Sequence, residues 1–186
     1  FVSALFGGTE TDMNGIVGRL ELRATDPLWI ESQQVHAQND GTVRVELILR
    51  NEFFDPVAGT IKVSVLDKAT GGVVGGSEGK FAYGRGVMPD GRHILFTRTK
   101  ETVALKIDRA PKLWSEFSPD LYVARSEVQT EGRREASDVL QTPFGFREIG
   151  TRGTQLTMNG RPIFLRGTLE CAVFPRSEER RVGKEC

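Results

Sequence analysis

Two cysteines, two histidines and three methionines in 186 residues leave little material for metal or redox chemistry. Cys186 lies in a C-terminal charge run set aside below, so Cys171 has no partner and no disulfide framework can be drawn. His36 and His93 stand far apart, without a second ligand at metal spacing, and read as ordinary surface or strand histidines. No metal and no cofactor are expected. Charge of either sign is not in excess: 25 Lys and Arg balance 25 Asp and Glu, for a formal net charge of +0. That balance gives no reason to expect nucleic acid as a partner, and no polybasic cluster suggests an anionic membrane. No apolar run approaches the roughly 18–20 residues needed to span a bilayer. The start at Phe1 has no initiator Met and no basic stretch before an apolar one, so it does not read as a signal peptide. It looks instead like the middle of a strand whose beginning is missing, and any targeting signal would be lost with it. A periplasmic or extracellular location would fit, but the residues name no compartment.

A helical period is also lacking, since no stretch holds a 3.6-residue repeat for a dozen residues without Gly or Pro. What is present is a series of short β-branched and aromatic segments separated by Gly, Pro, Asn and Asp. Residues 16–22 alternate towards their end, and residues 28–30 continue in the same manner towards Val35. Residues 42–49 place Val43, Val45, Leu47 and Leu49 on one face, with Arg44 and Glu46 on the other. Residues 60–66 point Ile61, Val63 and Val65 inward, and residues 102–107 do the same with Val103, Leu105 and Ile107. Residues 121–128 supply a further strand. A period of two means a sheet with one face in a core and one in water. Several such strands in about 125 residues predict an all-β fold, an antiparallel β-sandwich. Pro27 suits a strand entrance. Asn159-Gly160, between two alternating segments, accepts the positive φ angles of a type I′ hairpin turn. Residues 150–153 read as a polar hinge, and the glycine-rich stretch 71–79 as a flexible loop.

Several chemical motifs fail on inspection. Gly75-Gly-Ser-Glu-Gly-Lys80 has Val74 where a phosphate-binding loop needs Gly, Phe81 where it needs Ser or Thr, and no helix after it. Gly84-Arg-Gly86 would begin a dinucleotide fingerprint, but Pro89 occupies the third Gly position. Both stretches are expected to be loops. No Ser sits in a Gly-x-Ser-x-Gly elbow. Trp29 and Trp114 could stack on a sugar ring, but the apolar alternation beside both favours packing. The C-terminal run Arg176-Ser-Glu-Glu-Arg-Arg-Val-Gly-Lys-Glu-Cys186, back-translated, reads through every codon as a widely used sequencing-library adapter. Residues 176–186 are therefore expected to be no part of the fold, and the remainder carries 21 basic and 22 acidic side chains.

Four motifs in a fixed order carry a resemblance. They are Asn14-Gly-Ile-Val-Gly-Arg-Leu-Glu-Leu22, Trp114-Ser-Glu-Phe-Ser-Pro-Asp-Leu-Tyr122, Asp138 with Phe144-Gly-Phe-Arg147, and Asn159-Gly-Arg-Pro-Ile-Phe-Leu-Arg-Gly167. Together they resemble family-2 glycoside hydrolases of the β-galactosidase, β-glucuronidase and β-mannosidase type. The resemblance implies the end of a sugar-binding jelly roll at 1–24, an immunoglobulin-like β-sandwich at 25–150, and the first hairpin and strand of a TIM barrel at 151–175. It implies a parent enzyme that acts on a carbohydrate with retention, using two carboxylates about 5–5.5 Å apart. Those carboxylates would lie beyond Pro175, so no catalytic residue is expected within this chain. The sandwich would position the barrel. Trp114, Tyr122, Phe144 and Phe146 are expected to pack, with the Tyr122 hydroxyl bonded to backbone at a strand corner.

By the same resemblance Arg166 would sit at the C-terminal end of the first barrel strand, where such active sites assemble. A guanidinium there can hydrogen-bond a catalytic carboxylate and hold it ionised. Spacing alone is also compatible with a surface arginine on a hairpin. Many family members carry Asn and then His shortly after Arg-Gly, whereas this chain has Leu169-Glu170-Cys171. The His linked to sugar-hydroxyl contact is thus replaced by Cys171, so the resemblance does not carry over a substrate, galactose in particular, and Glu170 and Cys171 would line a differently shaped subsite. Two other classes use the same architecture: a non-catalytic carbohydrate-binding or adhesion module, which needs an exposed aromatic face, and a purely structural immunoglobulin-like domain.

Overall fold

In the computed structural model, residues 20–52, 56–84, 97–132 and 135–167 are described. Ten strands follow one another: β1 (Leu28–Ala37), β2 (Thr42–Asn51), β3 (Val57–Asp67), β4 (Val73–Tyr83), β5 (Thr97–Lys106), β6 (Tyr122–Thr130), β7 (Asp138–Phe144), β8 (Ile149–Arg152), β9 (Gln155–Met158) and β10 (Arg161–Pro162). No helix occurs among the described residues. The first seven strands form two antiparallel sheets, ordered β1-β2-β5 and β4-β3-β6-β7, and the last three form a small sheet ordered β10-β9-β8. The chain changes sheet between β2 and β3, β4 and β5, and β5 and β6, which gives the crossed connections of an immunoglobulin-like sandwich.

The alternation read from the sequence is the one the core uses. Val43, Val45, Leu47 and Leu49 of β2 are each 0% exposed, and with Val103 and Leu105 of the neighbouring strand β5 they share the core with Ile61, Val63 and Val65 of β3 in the other sheet. Each such aliphatic side chain removed from water contributes about 1.5–3 kcal/mol, against the cost of ordering it. Tyr122, Phe144 and Phe146 close one end of the core, with ring centroids 4.9 Å apart for Tyr122–Phe146 and 5.4 Å for Phe144–Phe146, both edge-on. Pro27 precedes β1, and its carbonyl accepts the Glu52 N–H at 2.8 Å.

Three expectations are corrected. The glycine-rich stretch 71–79 is not a loop, because from Val73 onward it belongs to β4, paired with β3 from Val57↔Tyr83 to Leu66↔Val73. The phosphate-loop-like segment 75–80 therefore lies wholly in a strand. Glycine is needed there for close approach: a Cβ on Gly75 would stand 3.1 Å from Ile107 Cα and 3.1 Å from the Lys106 carbonyl. The segment 150–153 is not a hinge, since β8 runs through Arg152 and pairs with β9. Of the strand expected over 16–22, residues 20–22 are described and are irregular, with Leu20 and Leu22 fully open to solvent.

Candidate functional site

Arg166, the arginine singled out from the sequence, follows β10 on an exposed segment without regular structure. Glu170 and Cys171 lie outside the described residues, as do His93, residues 14–19 of the first motif and the charge run 176–186. The three suggested substrate-binding residues are therefore not shown assembled. Among the described residues, no group of three or more His, Cys, Asp or Glu side chains could hold a metal ion.

What the structure does assemble is the place where the chain leaves the sandwich. Four segments meet there: the β1–β2 turn, the β5–β6 connection, the residues after β7, and the β9–β10 turn. Asn159 opens that last turn at φ 51°, followed by Gly160 at φ 75°, which are the two positive angles a type I′ hairpin requires. Its N–H donates to the Glu148 carbonyl at 2.8 Å. Its Oδ1 accepts the Glu148 N–H at 2.9 Å and Asn39 Nδ2 at 3.1 Å, while its own Nδ2 donates to the Trp114 carbonyl at 3.0 Å. The backbone donor at Glu148 and the backbone acceptor at Trp114 together fix which way the amide points. Glu148 Oε1 in turn accepts the Asn39 N–H at 3.0 Å.

The Gly-Phe-Arg motif builds the floor of this junction, one residue at a time. A side chain at Gly145 would stand 2.9 Å from Trp114 Cβ, so the indole can lie against the backbone only because glycine is there. Phe146 is fully buried in the core, and its carbonyl accepts the Trp114 N–H at 2.8 Å. Arg147 places its guanidinium 5.0 Å from the Trp114 ring centroid, within cation–π range. A second arginine does the same at the other end of the domain. Arg23 lies 5.4 Å from the Trp29 ring centroid and 3.3 Å from Asp138 Oδ2. That oxygen also accepts the Ile30 N–H at 2.9 Å, so Asp138 ties edge strand β7 to edge strand β1. Both tryptophans are half-buried and carry an arginine over the ring, which is packing and not the open aromatic platform a sugar-binding module needs. An open cleft of about 590 Å³ beside Trp114, bordered by Val35, His36, Pro143 and Arg147, separates the ends of β1 and β7.

Behind the junction, the Tyr122 hydroxyl accepts the Lys112 N–H at 3.0 Å, as expected for a tyrosine at such a corner. Beside it lies Asp67, whose burial pushes its carboxyl pKa up. The N–H groups of Ala69 at 3.0 Å and Thr70 at 3.3 Å, with the Lys112 ammonium 3.6 Å away, outweigh that burial and hold it below the ordinary carboxylate value. On the outer face of the β1-β2-β5 sheet, Glu46 is held low chiefly by its bond to Lys100, helped by Arg44 and His36. This is a ladder of charges on the outer face of a sheet.

Sequence reasoning read Asn159 as a turn residue and missed it as the centre of the junction. The signal lay in the choice of Asn over Gly or Asp at the first turn position, which is decisive only once its three partners are known.

A sequence profile described as "Glycosyl hydrolases family 2" matches residues 26–147. Among solved structures, the chain is similar to a beta-glucuronidase from glycoside hydrolase family 2, at TM-score 0.62 and 23% identity over 76% of this chain and 15% of that one. It is also similar to a glycosyl hydrolase family 2 member from Bacteroides cellulosilyticus DSM 14838, at TM-score 0.61 and 21% identity over 77% of this chain and 19% of the other. A third is a b-glucuronidase from Ruminococcus gnavus in complex with D-glucuronic acid, at TM-score 0.52 and 19% identity over 76% and 20% of the two chains. At these identities the likeness shows the fold, and the chain spans no more than a fifth of the length of these three proteins.

Proposed function

The chain belongs to glycosyl hydrolases family 2, and on that premise we propose that it is the immunoglobulin-like sandwich of a longer retaining glycoside hydrolase that acts on a carbohydrate. The observation that carries this reading is the profile match over residues 26–147, which runs from the start of β1 to the Gly-Phe-Arg motif. In the proposed arrangement residues 151–175 begin a TIM barrel, residues 1–24 end a jelly roll, and the sandwich sets the spacing between them. Arg166 would stand at the C-terminal end of the first barrel strand and hydrogen-bond a catalytic carboxylate, with Glu170 and Cys171 lining the substrate subsite. The rigid core of the sandwich and the polar junction at Asn159 support a positioning role, because a catalytic constellation tolerates only small displacements.

The test begins with the source gene, sequenced past the codon for Pro175 with primers inside this chain. A frame that continues into βα alternation with two strand-end carboxylates, and whose product hydrolyses a chromogenic glycoside with retention, supports the proposal. The 186-residue chain itself is expected to give no turnover. Turnover by that chain, or a genomic frame that reads residues 176–186 and stops, would overturn it and return attention to a binding module.

A further inference from the structure

We propose that Asn159 is a latch that docks the β8–β10 sheet onto the end of the sandwich and thereby sets the direction in which residues 163–167 leave it. Apolar burial cannot do this alone. Ile149 is 57% exposed and Leu156 38%, and of the residues 149–162 only Thr157 is buried. Polar contacts must therefore hold the small sheet in place, and those contacts converge on one side chain. Asn159 reaches two separate parts of the sandwich, Asn39 in the β1–β2 turn and the Trp114 carbonyl in the β5–β6 connection, while its bonds with the Glu148 backbone extend the β8–β9 pairing by one more residue pair. The bonds to Asn39 and Trp114 are partly buried, where water competes less for the same groups.

The residue type is dictated by three demands that only asparagine meets together. It tolerates a positive φ, its oxygen accepts from two N–H groups, and its nitrogen donates to a carbonyl. Aspartate keeps the first two properties but sets a carboxylate oxygen against the Trp114 carbonyl. Glycine keeps the turn and loses every side-chain bond. The two substitutions separate the hairpin from the latch. The inference rests on these contacts alone and stands whether or not the longer protein hydrolyses a glycoside.

Hydrogen–deuterium exchange on the whole 186-residue chain tests it, comparing the parent with Asn159→Gly, Asn159→Asp and Asn39→Ala. Asn159→Gly is expected to speed exchange at residues 149–158 at least about ten-fold, because every side-chain bond of the latch is lost together. Core amides of β2 and β3 should keep the parent rate, which also shows that the variant folds. Asn159→Asp should fall between Asn159→Gly and the parent. Asn39→Ala should speed exchange in the parent background and add nothing to Asn159→Gly, as expected for two members of one network. Spin labels at Gln34→Cys and Gln155→Cys, with Cys171 and Cys186 replaced by serine, should give one narrow distance distribution that broadens on Asn159→Gly. Exchange at 149–158 within two-fold of the parent, equal acceleration of the β2 and β3 core, or an unchanged distance distribution would each overturn the latch.

Discussion

Asp67 shows how a single buried side chain becomes tolerable. It stands at the end of β3, is 4% exposed, and spends its carboxylate on the Ala69 and Thr70 N–H groups and the Lys112 ammonium. Its folded-state pKa lies below the unfolded value of about 3.9. The stability it contributes is therefore complete above the unfolded value and is lost as pH falls through the folded one. Asp67→Asn should be less stable than the parent at pH 6–7, with the gap closing towards pH 3 and below. Urea midpoints at several pH values measure this, and a gap constant across the range would contradict the assignment. At the same scale, Gly145, Phe146 and Arg147 each answer a different demand of Trp114: a flat approach, a backbone acceptor and a charge over the ring. The motif was legible as a pattern, but these separate reasons were not, because they depend on an indole some thirty residues away.

Among the elements, β2, β3, β5 and β6 were readable because strict alternation tells each side chain which face it occupies. β4 was not readable. Its glycines carry no side chain to alternate, and its strand conformation comes from pairing with β3 while it packs closely over the end of β5. Filling that approach should be costly. Gly75→Val is expected to lower stability by roughly 1–3 kcal/mol, the range for overpacking a tight contact, as read from the urea midpoint at constant m-value. A stability equal to the parent would mean that β4 stands further from β5 than the structure shows. β8, β9 and β10 are an intermediate case, since the Asn-Gly turn was legible in the sequence while β8 was read as a hinge. With few apolar residues to mark an inward face, only pairing defines that strand.

At the scale of the whole molecule, the buried core runs from Leu28 to Phe146 and takes nothing from the β8–β10 sheet. A chain covering residues 20–148 should therefore keep the near-UV circular dichroism of the parent and unfold in one cooperative transition. A variant ending before β7 should not, because it would leave the edge of β6 without its hydrogen-bonded neighbour and remove Phe144 and Phe146 from the aromatic cluster. Loss of tertiary signal in the 20–148 chain would show that the small sheet belongs to the folding unit and does not merely dock on it. The two arginine-on-tryptophan pairs, Arg23–Trp29 and Arg147–Trp114, mark where chain enters and leaves this core.

The sequence by itself determined the all-β class, the inward and outward faces of most strands, the hairpin turn at Asn159-Gly160 and the family resemblance, because each is written in residues close together along the chain. Only the tertiary structure decided that a glycine-rich stretch is a strand, that Asp138 bridges two edge strands, and that Asn159 joins three separated segments. Those outcomes turn on which distant groups meet and on whether a polar atom finds its partner there, and local periodicity carries no record of either.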